Sequence, residues 1–510
     1  MDHNRATLSG LPNELLSMII EELVDETSKH SGGPAIKACR LVSRLLCEVS
    51  SCWLVPSVQV GHSNASLARL DAISRHPLIG RGVRTIEVVL SSYSGFSSDD
   101  LGGKRDFIKL QHQILANRAK IFEVGKIITM TEKDSAILRK VHEVLGCWHY
   151  IHQEPRIRRQ PQGDLALARV YVDRYYGEFQ RLAREEQLLL RQGAMGTAVA
   201  EALRRMPGVS RLKFDDTCHY GVRRRGLAWE TVETVVDGIY ENTLLPLTRR
   251  DLEARALLPV DIFAGNQRAS SYNTCPLSET IPCVLAAVGG VDQAELRSLV
   301  VNVDRITSNV PLGEIPDLQQ RVRAATRSLT GISMKEKRGS EGTRHLLSLC
   351  GTSPDLKAYS VILESGLYAL DPLLEGPGSN VRRKDLTVIQ VKGASITASS
   401  LKQFLDTIPD VLDRVELVGV QVTRGSWREV LDMLREKTYR KTKEWPHPVR
   451  ISQAISPDPE HDLHSTFEGV FQSDATWEPS DADVYVMRQT QVNPFSPEAG
   501  KFPLGSTFKW

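Results

Sequence analysis

Cysteine is scarce in this chain: eight residues among 510, at positions Cys39, Cys47, Cys52, Cys147, Cys218, Cys275, Cys283 and Cys350. Spacings this irregular exclude a disulfide framework and predict reduced, mostly buried thiols in the cytosol or nucleus. Net charge is equally small. The 64 Lys and Arg oppose 62 Asp and Glu, a formal +2, so no long-range field recruits nucleic acid or an anionic membrane, and neither is an expected partner. No run reaches the roughly 18 consecutive apolar residues of a membrane-spanning helix. The opening Met-Asp-His-Asn-Arg also lacks the charged-then-apolar pattern of a secretion signal, so a cytoplasmic or nuclear location is expected.

Catalytic templates are missing as well. Gly102-Gly103-Lys104 is followed by Arg105, with Ser98 where the first glycine of a phosphate-cradling loop belongs. No Gly-x-Gly-x-x-Gly follows a strand pattern, no Gly-x-Ser-x-Gly elbow occurs, and His142-Glu143 lacks the second His of a zinc-protease helix. His142, Cys147, His149 and His152 fall close together but have no Cys-x-x-Cys partner, so they read as a helix surface around buried Cys147 and Trp148. The basic patches at Arg223 to Arg225, Arg382 to Lys384 and Arg440 to Lys443 read as solvated loops without aromatic interleaving. Neither an enzyme nor a metal or cofactor site is expected.

What remains is pattern. With 41% apolar and 25% charged residues the chain folds, and its length predicts about three domains or one elongated array. Leu15, Leu16, Ile19, Ile20 and Leu23 share one face of a helix opened by Pro12. Leu41, Val42, Leu45, Leu46 and Val49 repeat that spacing as a second helix, with a loop from Asp25 to Pro34 between the two. Two such stripes within so short a segment cannot bury both faces, which predicts a surplus apolar surface. Leu110, Ile114, Ile121 and Val124, then Leu138, Val141, Val144 and Leu145, predict helices, and Tyr171 to Leu190 is strongly helical. The basic string Arg156, Arg158 and Arg159 between Pro155 and Pro161 reads as a connecting loop.

A repeat follows. Leu386, Ile389 and Val391 are answered 29 residues later by Val415, Val418 and Val420, and the same shift carries Leu401, Phe404 and Leu405 onto Val430, Met433 and Leu434. Strand and helix therefore recur as one unit. Upstream members are Leu356, Tyr359 and Val361, Leu329, Ile332 and Met334, Leu296, Leu299 and Val301, and the more distant Val209, Leu212 and Phe214. Three matched apolar positions arise by chance in ~7% of windows at this composition, so the shared register carries the inference. The place where leucine-rich repeats put Asn or Cys holds Ala394, Thr423, Glu364 and Lys337, which predicts irregular curvature. From Lys441 onward the chain is punctuated by Pro446, Pro448, Pro457 and Pro459 and reads as an irregular tail, whose Trp477, Phe495 and Trp510 could dock as a cap.

The segment Leu11-Pro12-Asn13-Glu14-Leu15-Leu16-Ser17-Met18-Ile19-Ile20-Glu21-Glu22-Leu23, followed by Cys39-Arg40-Leu41-Val42-Ser43-Arg44, resembles the F-box of filamentous fungi. Ser66 to Val88 is similar to the strand region after that box, and Gly425 to Leu434 to a last repeat helix of such proteins. The resemblance implies an α/β chain with an F-box at 8–56, a linker and first strand at 57–94, a helical region at 95–200, a leucine-rich-repeat-like array of strand-helix units at 201–440, and the irregular tail at 441–510. It also implies a non-catalytic adaptor of an SCF-type ubiquitin ligase. Leu11, Pro12, Leu15, Leu16 and Ile19 would contact a Skp-type linker and through it a cullin, Val42 and Leu45 would support them, and the array would hold a protein target. A protein-interaction scaffold outside any ligase, with a helical N-terminal cap, is the alternative.

Overall fold

In Leu296, Leu299 and Val301, in Leu329, Ile332 and Met334, and in Leu356, Tyr359 and Val361, the last two residues point into one side of a strand and the first lies just before it. The computed structural model describes residues 11–28, 33–90, 164–215, 280–291, 295–303, 316–338, 341–351, 353–365, 368–369, 385–408, 412–437, 449–452 and 481–486. Its fold is mixed α/β around a nine-stranded sheet whose pairings are all parallel, with no closed barrel.

The strands are β1 (Ser57–Val60), β2 (Thr85–Val89), β3 (Arg211–Asp215), β4 (Ser298–Val303), β5 (Gly331–Arg338), β6 (Ala358–Ser365), β8 (Val388–Lys392), β10 (Arg414–Val418) and β12 (Val449–Ser452). They lie side by side in chain order. A smaller sheet joins β7 (Tyr368–Ala369), β9 (Ala394–Thr397) and β11 (Gln421–Arg424), with β9 in the middle.

Helices form the second layer. They are α4 (Asn64–Arg75), α5 (Ile79–Gly82), α6 (Asp164–Arg191), α7 (Ala194–Arg205), α8 (Thr280–Gly289), α9 (Pro316–Thr326), α10 (Glu341–Cys350), α11 (Ala398–Asp406), α12 (Trp427–Lys437) and α13 (Asp481–Val486). α4, α7, α8, α9 and α10 pack in that order, as do α11 and α12. Between the layers runs one continuous core. One register row holds Val58, Ile86, Leu212, Leu299, Ile332, Tyr359, Ile389 and Val415, and the next holds Val60, Val88, Phe214, Val301, Met334, Val361, Val391 and Leu417, all buried. The Tyr359 and Phe404 rings meet across it with centroids 6.0 Å apart.

The register corrects one expectation. Ile389 pairs with Val415 and Val391 with Leu417, so the strand shift is 26 residues and the matching triplet is Leu412, Val415 and Leu417, not Val415, Val418 and Val420. Val418 is half-buried on the opposite side. The left-handed glycines confirm the spacing: Gly393 (φ 67°) and Gly419 (φ 62°), 26 apart, turn the chain from β8 into β9 and from β10 into β11. The helices do keep the shift of 29. Thr397 and Ser426 each cap one, accepting the backbone N–H of Ser400 (3.1 Å) and Glu429 (3.2 Å). The extra residues are absorbed at the bulge between Val422 and Arg424 and at Gly425.

The sheet also outruns the expected array. Val55, Val58 and Val60, then Val83, Ile86 and Val88, carry the same spacing into β1 and β2, within the segment expected as linker and first strand. At the other end β12 pairs with β10, inside the expected tail. α13 closes that end: Asp483 is buried and its Oδ1 accepts the Ile451 N–H at 2.7 Å, while Tyr485 donates its hydroxyl to Asp432 Oδ1 (2.5 Å) under the Arg435 guanidinium.

The N-terminal unit has its own small core. α1 (Asn13–Ser28), α2 (Gly33–Val42) and α3 (Arg44–Ser51) meet at Leu16, Ile20, Ile36 and Leu46, backed by Leu11, Leu45, Val49, Trp53 and Leu54. The expected single helix through Leu41 to Val49 is two. Ser43 is extended (φ −157°, ψ 162°) and its hydroxyl accepts the Leu46 N–H, so it ends α2 and caps α3. The loop expected from Asp25 to Pro34 is correspondingly short, since α1 runs to Ser28 and α2 starts at Gly33. The helices expected at 110–145, the cluster at 142–152, the string at 156–159 and the patches at 223–225, 382–384 and 440–443 lie outside the described residues, as do Trp477, Phe495 and Trp510.

Candidate functional site

Two surfaces stand out, one apolar and one charged. The first belongs to the N-terminal unit. α1 is apolar on more than one side, so burying Leu16 and Ile20 against α2 and α3 leaves Leu15, Met18 and Ile19 in solvent, Met18 at 64%. The break at Ser43 does the same at the end of α2, where Leu41 is 89% and Val42 72% exposed. Among the described residues these five and Leu188 of α6 are the exposed large hydrophobics, so the surplus is concentrated here.

The residues singled out from sequence separate by position. Leu15, Ile19 and Val42 are exposed, Pro12 is exposed at the helix start where its carbonyl accepts the Leu16 N–H (3.1 Å), and Leu11 and Leu45 are half-buried against the small core. Leu16 is covered within its own chain, in the small core with Ile20, Ile36 and Leu46. Met18 and Leu41 are also exposed, without having been singled out as contacts. Met18 sits three residues after Leu15, the spacing of one helix face, and Leu41 adjoins Val42.

The second surface is the side of the large sheet away from the helices. Alternate strand residues face it, so its composition is visible only once the register is known. Toward the N-terminal edge Gln59 donates to Glu87 Oε2 (2.9 Å), and Lys213 reaches Glu87 Oε1 (2.5 Å) and Asp215 Oδ2 (2.6 Å), while Asn302 donates to Asp215 Oδ1 (3.3 Å). Burial works to lower the Lys213 pKa, but the bonds to Asp215 and Glu87 outweigh it and hold the ammonium above its ordinary value.

Toward the other edge a second network centres on Glu416. Ser360 donates to Gln390 (2.6 Å), Gln390 donates to Glu416 Oε2 (2.6 Å), and the carboxylate also meets Lys392 (2.8 Å), Arg414 (3.3 Å) and Arg450 (3.6 Å). Burial favours protonation of Glu416. The Lys392 bond and charge, the Gln390 bond and the Arg414 charge outweigh it and hold the carboxyl below the usual range. Between the networks Ser298, Val300, Gly331, Ser333 and Ala358 on this face are small or uncharged, with Lys335 further along β5.

Chemically, both surfaces offer binding. Among the described residues no group of three or more His, Cys, Asp or Glu is placed to hold a metal ion, and no helix is long and apolar enough to cross a membrane. No family model matches the chain, and neither the curated proteins nor the solved structures give a match.

Proposed function

We propose that the chain is the substrate-recognition adaptor of an SCF-type cullin ubiquitin ligase. In this reading the N-terminal unit is an F-box that docks on a Skp-type linker. The sheet and its helices form an irregular leucine-rich-repeat-like solenoid that holds a protein target. The observation that carries it is the exposure of Leu15, Met18, Ile19, Leu41 and Val42 on a unit that already has a closed core of its own. Burying one such side chain in a partner's groove gains roughly 1.5–3 kcal/mol, so several together are needed to offset the cost of association in a helix-in-groove contact. The open side of the sheet supports the second half, because stacked units present an extended face without needing reactive groups. Covalent chemistry would then reside in the other subunits, and this chain would act by raising the local concentration of the target.

The test is capture of the full-length chain by a purified Skp-type linker. Leu15→Glu with Ile19→Glu should weaken capture at least about tenfold with an unchanged circular dichroism spectrum. Capture equal to wild type refutes the site. Cullin co-purification then decides between the ligase and the scaffold: linker binding without a cullin assigns the chain to the non-ligase reading.

A further inference from the structure

We infer that the C-terminal half of the open sheet face is a docking site for an acidic protein segment, rich in Asp and Glu, that lies across the strands. This deepens the adaptor reading and rests on it, since it names the chemistry of the target that the array would hold.

Charge is laid out unevenly on this face. Its positions on β2 and β3 carry Arg211 and Lys213 against Glu87 and Asp215, a balanced set. On β8, β10 and β12 they carry Lys392, Arg414 and Arg450 against Glu416. Depth sharpens the contrast. The Glu416 side chain is 2% exposed, whereas those of Lys392, Arg414 and Arg450 are 29%, 41% and 47% exposed. The carboxylate therefore lies beneath and the cations on top, holding their positions by bonding to it, and what solvent meets is positive charge at fixed spacing. An incoming carboxylate finds charge-assisted donors whose side chains are already ordered.

The layout selects a protein segment over nucleic acid. A polyanion of uniform charge gains nothing over the balanced half and meets Glu87 and Asp215 there. A peptide can place acidic residues over one half and small apolar or neutral ones over Val300, Gly331 and Ala358. From β8 to β12 there are two strand steps, about 10 Å, which an extended chain of roughly three residues spans.

Fluorescence anisotropy of the full-length chain with a labelled Glu-rich peptide of about ten residues tests this. Binding should occur and weaken with added salt. Lys392→Gln with Arg450→Gln should lower affinity at least about tenfold, and Arg450→Glu alone, at the most exposed and least bonded cation, should lower it with the melting temperature retained. Arg211→Gln on the balanced half should leave it unchanged. No peptide binding, binding indifferent to the Lys392 and Arg450 changes, or tighter binding of a single-stranded RNA of similar length would each overturn the proposal. Linker capture by the same proteins reads the adaptor function separately. If capture fails while the peptide binds, the adaptor reading falls and this site stands; if capture holds and the peptide does not bind, the reverse is true.

Discussion

His62 stands just past the end of β1, buried, with Nε2 3.1 Å from Thr280 Oγ1 at the start of α8. Burial pushes its pKa down to about 4, against a weaker opposing effect of its backbone bond to Val89. The neutral ring is thus built into the fold. Above pH 6.5 both folded and unfolded chains carry it uncharged and stability is full. Below 6.5 the unfolded chain gains a proton that the folded one refuses until about pH 4, so stability falls across that window by roughly 3 kcal/mol. Melting temperatures measured from pH 7 to 4 should drop, and His62→Gln, which keeps a hydrogen-bonding group toward Thr280, should flatten the decline; an unchanged slope would clear His62 of the effect. Gly393 is a second single-residue constraint. Its φ of 67° disfavours any side chain, and a Cβ there would come within 2.0 Å of the Leu363 carbonyl on the neighbouring strand. Gly393→Ala should cost on the order of 2 kcal/mol or more in chemical denaturation, a loss that Gly331→Ala, with open space around its Cβ, should not share.

At the scale of elements, hydroxyl caps decide where helices begin. Ser43, Ser63, Thr397 and Ser426 each accept a backbone N–H three residues on. Ser43→Ala should lower the stability of α3 by about 1 kcal/mol and let α2 and α3 drift from the angle that exposes Val42; linker capture compared with a melting curve would show both effects. Ser43 was visible in the sequence, yet its role was not, because the apolar spacing of Leu41, Val42, Leu45, Leu46 and Val49 runs straight through it. Periodicity reports which residues could share a face and is blind to a single extended residue that rotates one half against the other. The strand shift failed for a related reason. A triplet of apolar residues is short, Val415 belongs to both possible triplets, and only the inter-strand bonds distinguish Leu412, Val415 and Leu417 from Val415, Val418 and Val420.

At the scale of the whole molecule, the two cores differ greatly in size. Four buried hydrophobic residues hold α1, α2 and α3, whereas the core of the sheet and its helices is continuous from Val58 to Val486. The N-terminal unit should open first, so its amides should exchange hydrogen faster than those of β3, β4 and β5; equal protection would mean that the close packing of Gly82 on Cys52 makes the two parts one cooperative body. Occupation by a partner should slow exchange in α1 and α2 specifically. The alternation of apolar residues, the absence of a long apolar run and the surplus Leu and Ile near the start were legible without coordinates, because side-chain period and composition are local properties. They were sufficient to specify an α/β chain with strand-helix units and an apolar surplus in its first helices. Which surplus residues stay outside was decided by packing: Leu15 and Leu16 are neighbours of the same type, and only the arrival of α2 and α3 buries one and leaves the other in water. The charged face was decided the same way. Glu87, Lys213, Lys392 and Glu416 are scattered over more than 300 residues of chain, and parallel pairing in register is what sets them on one side of one sheet.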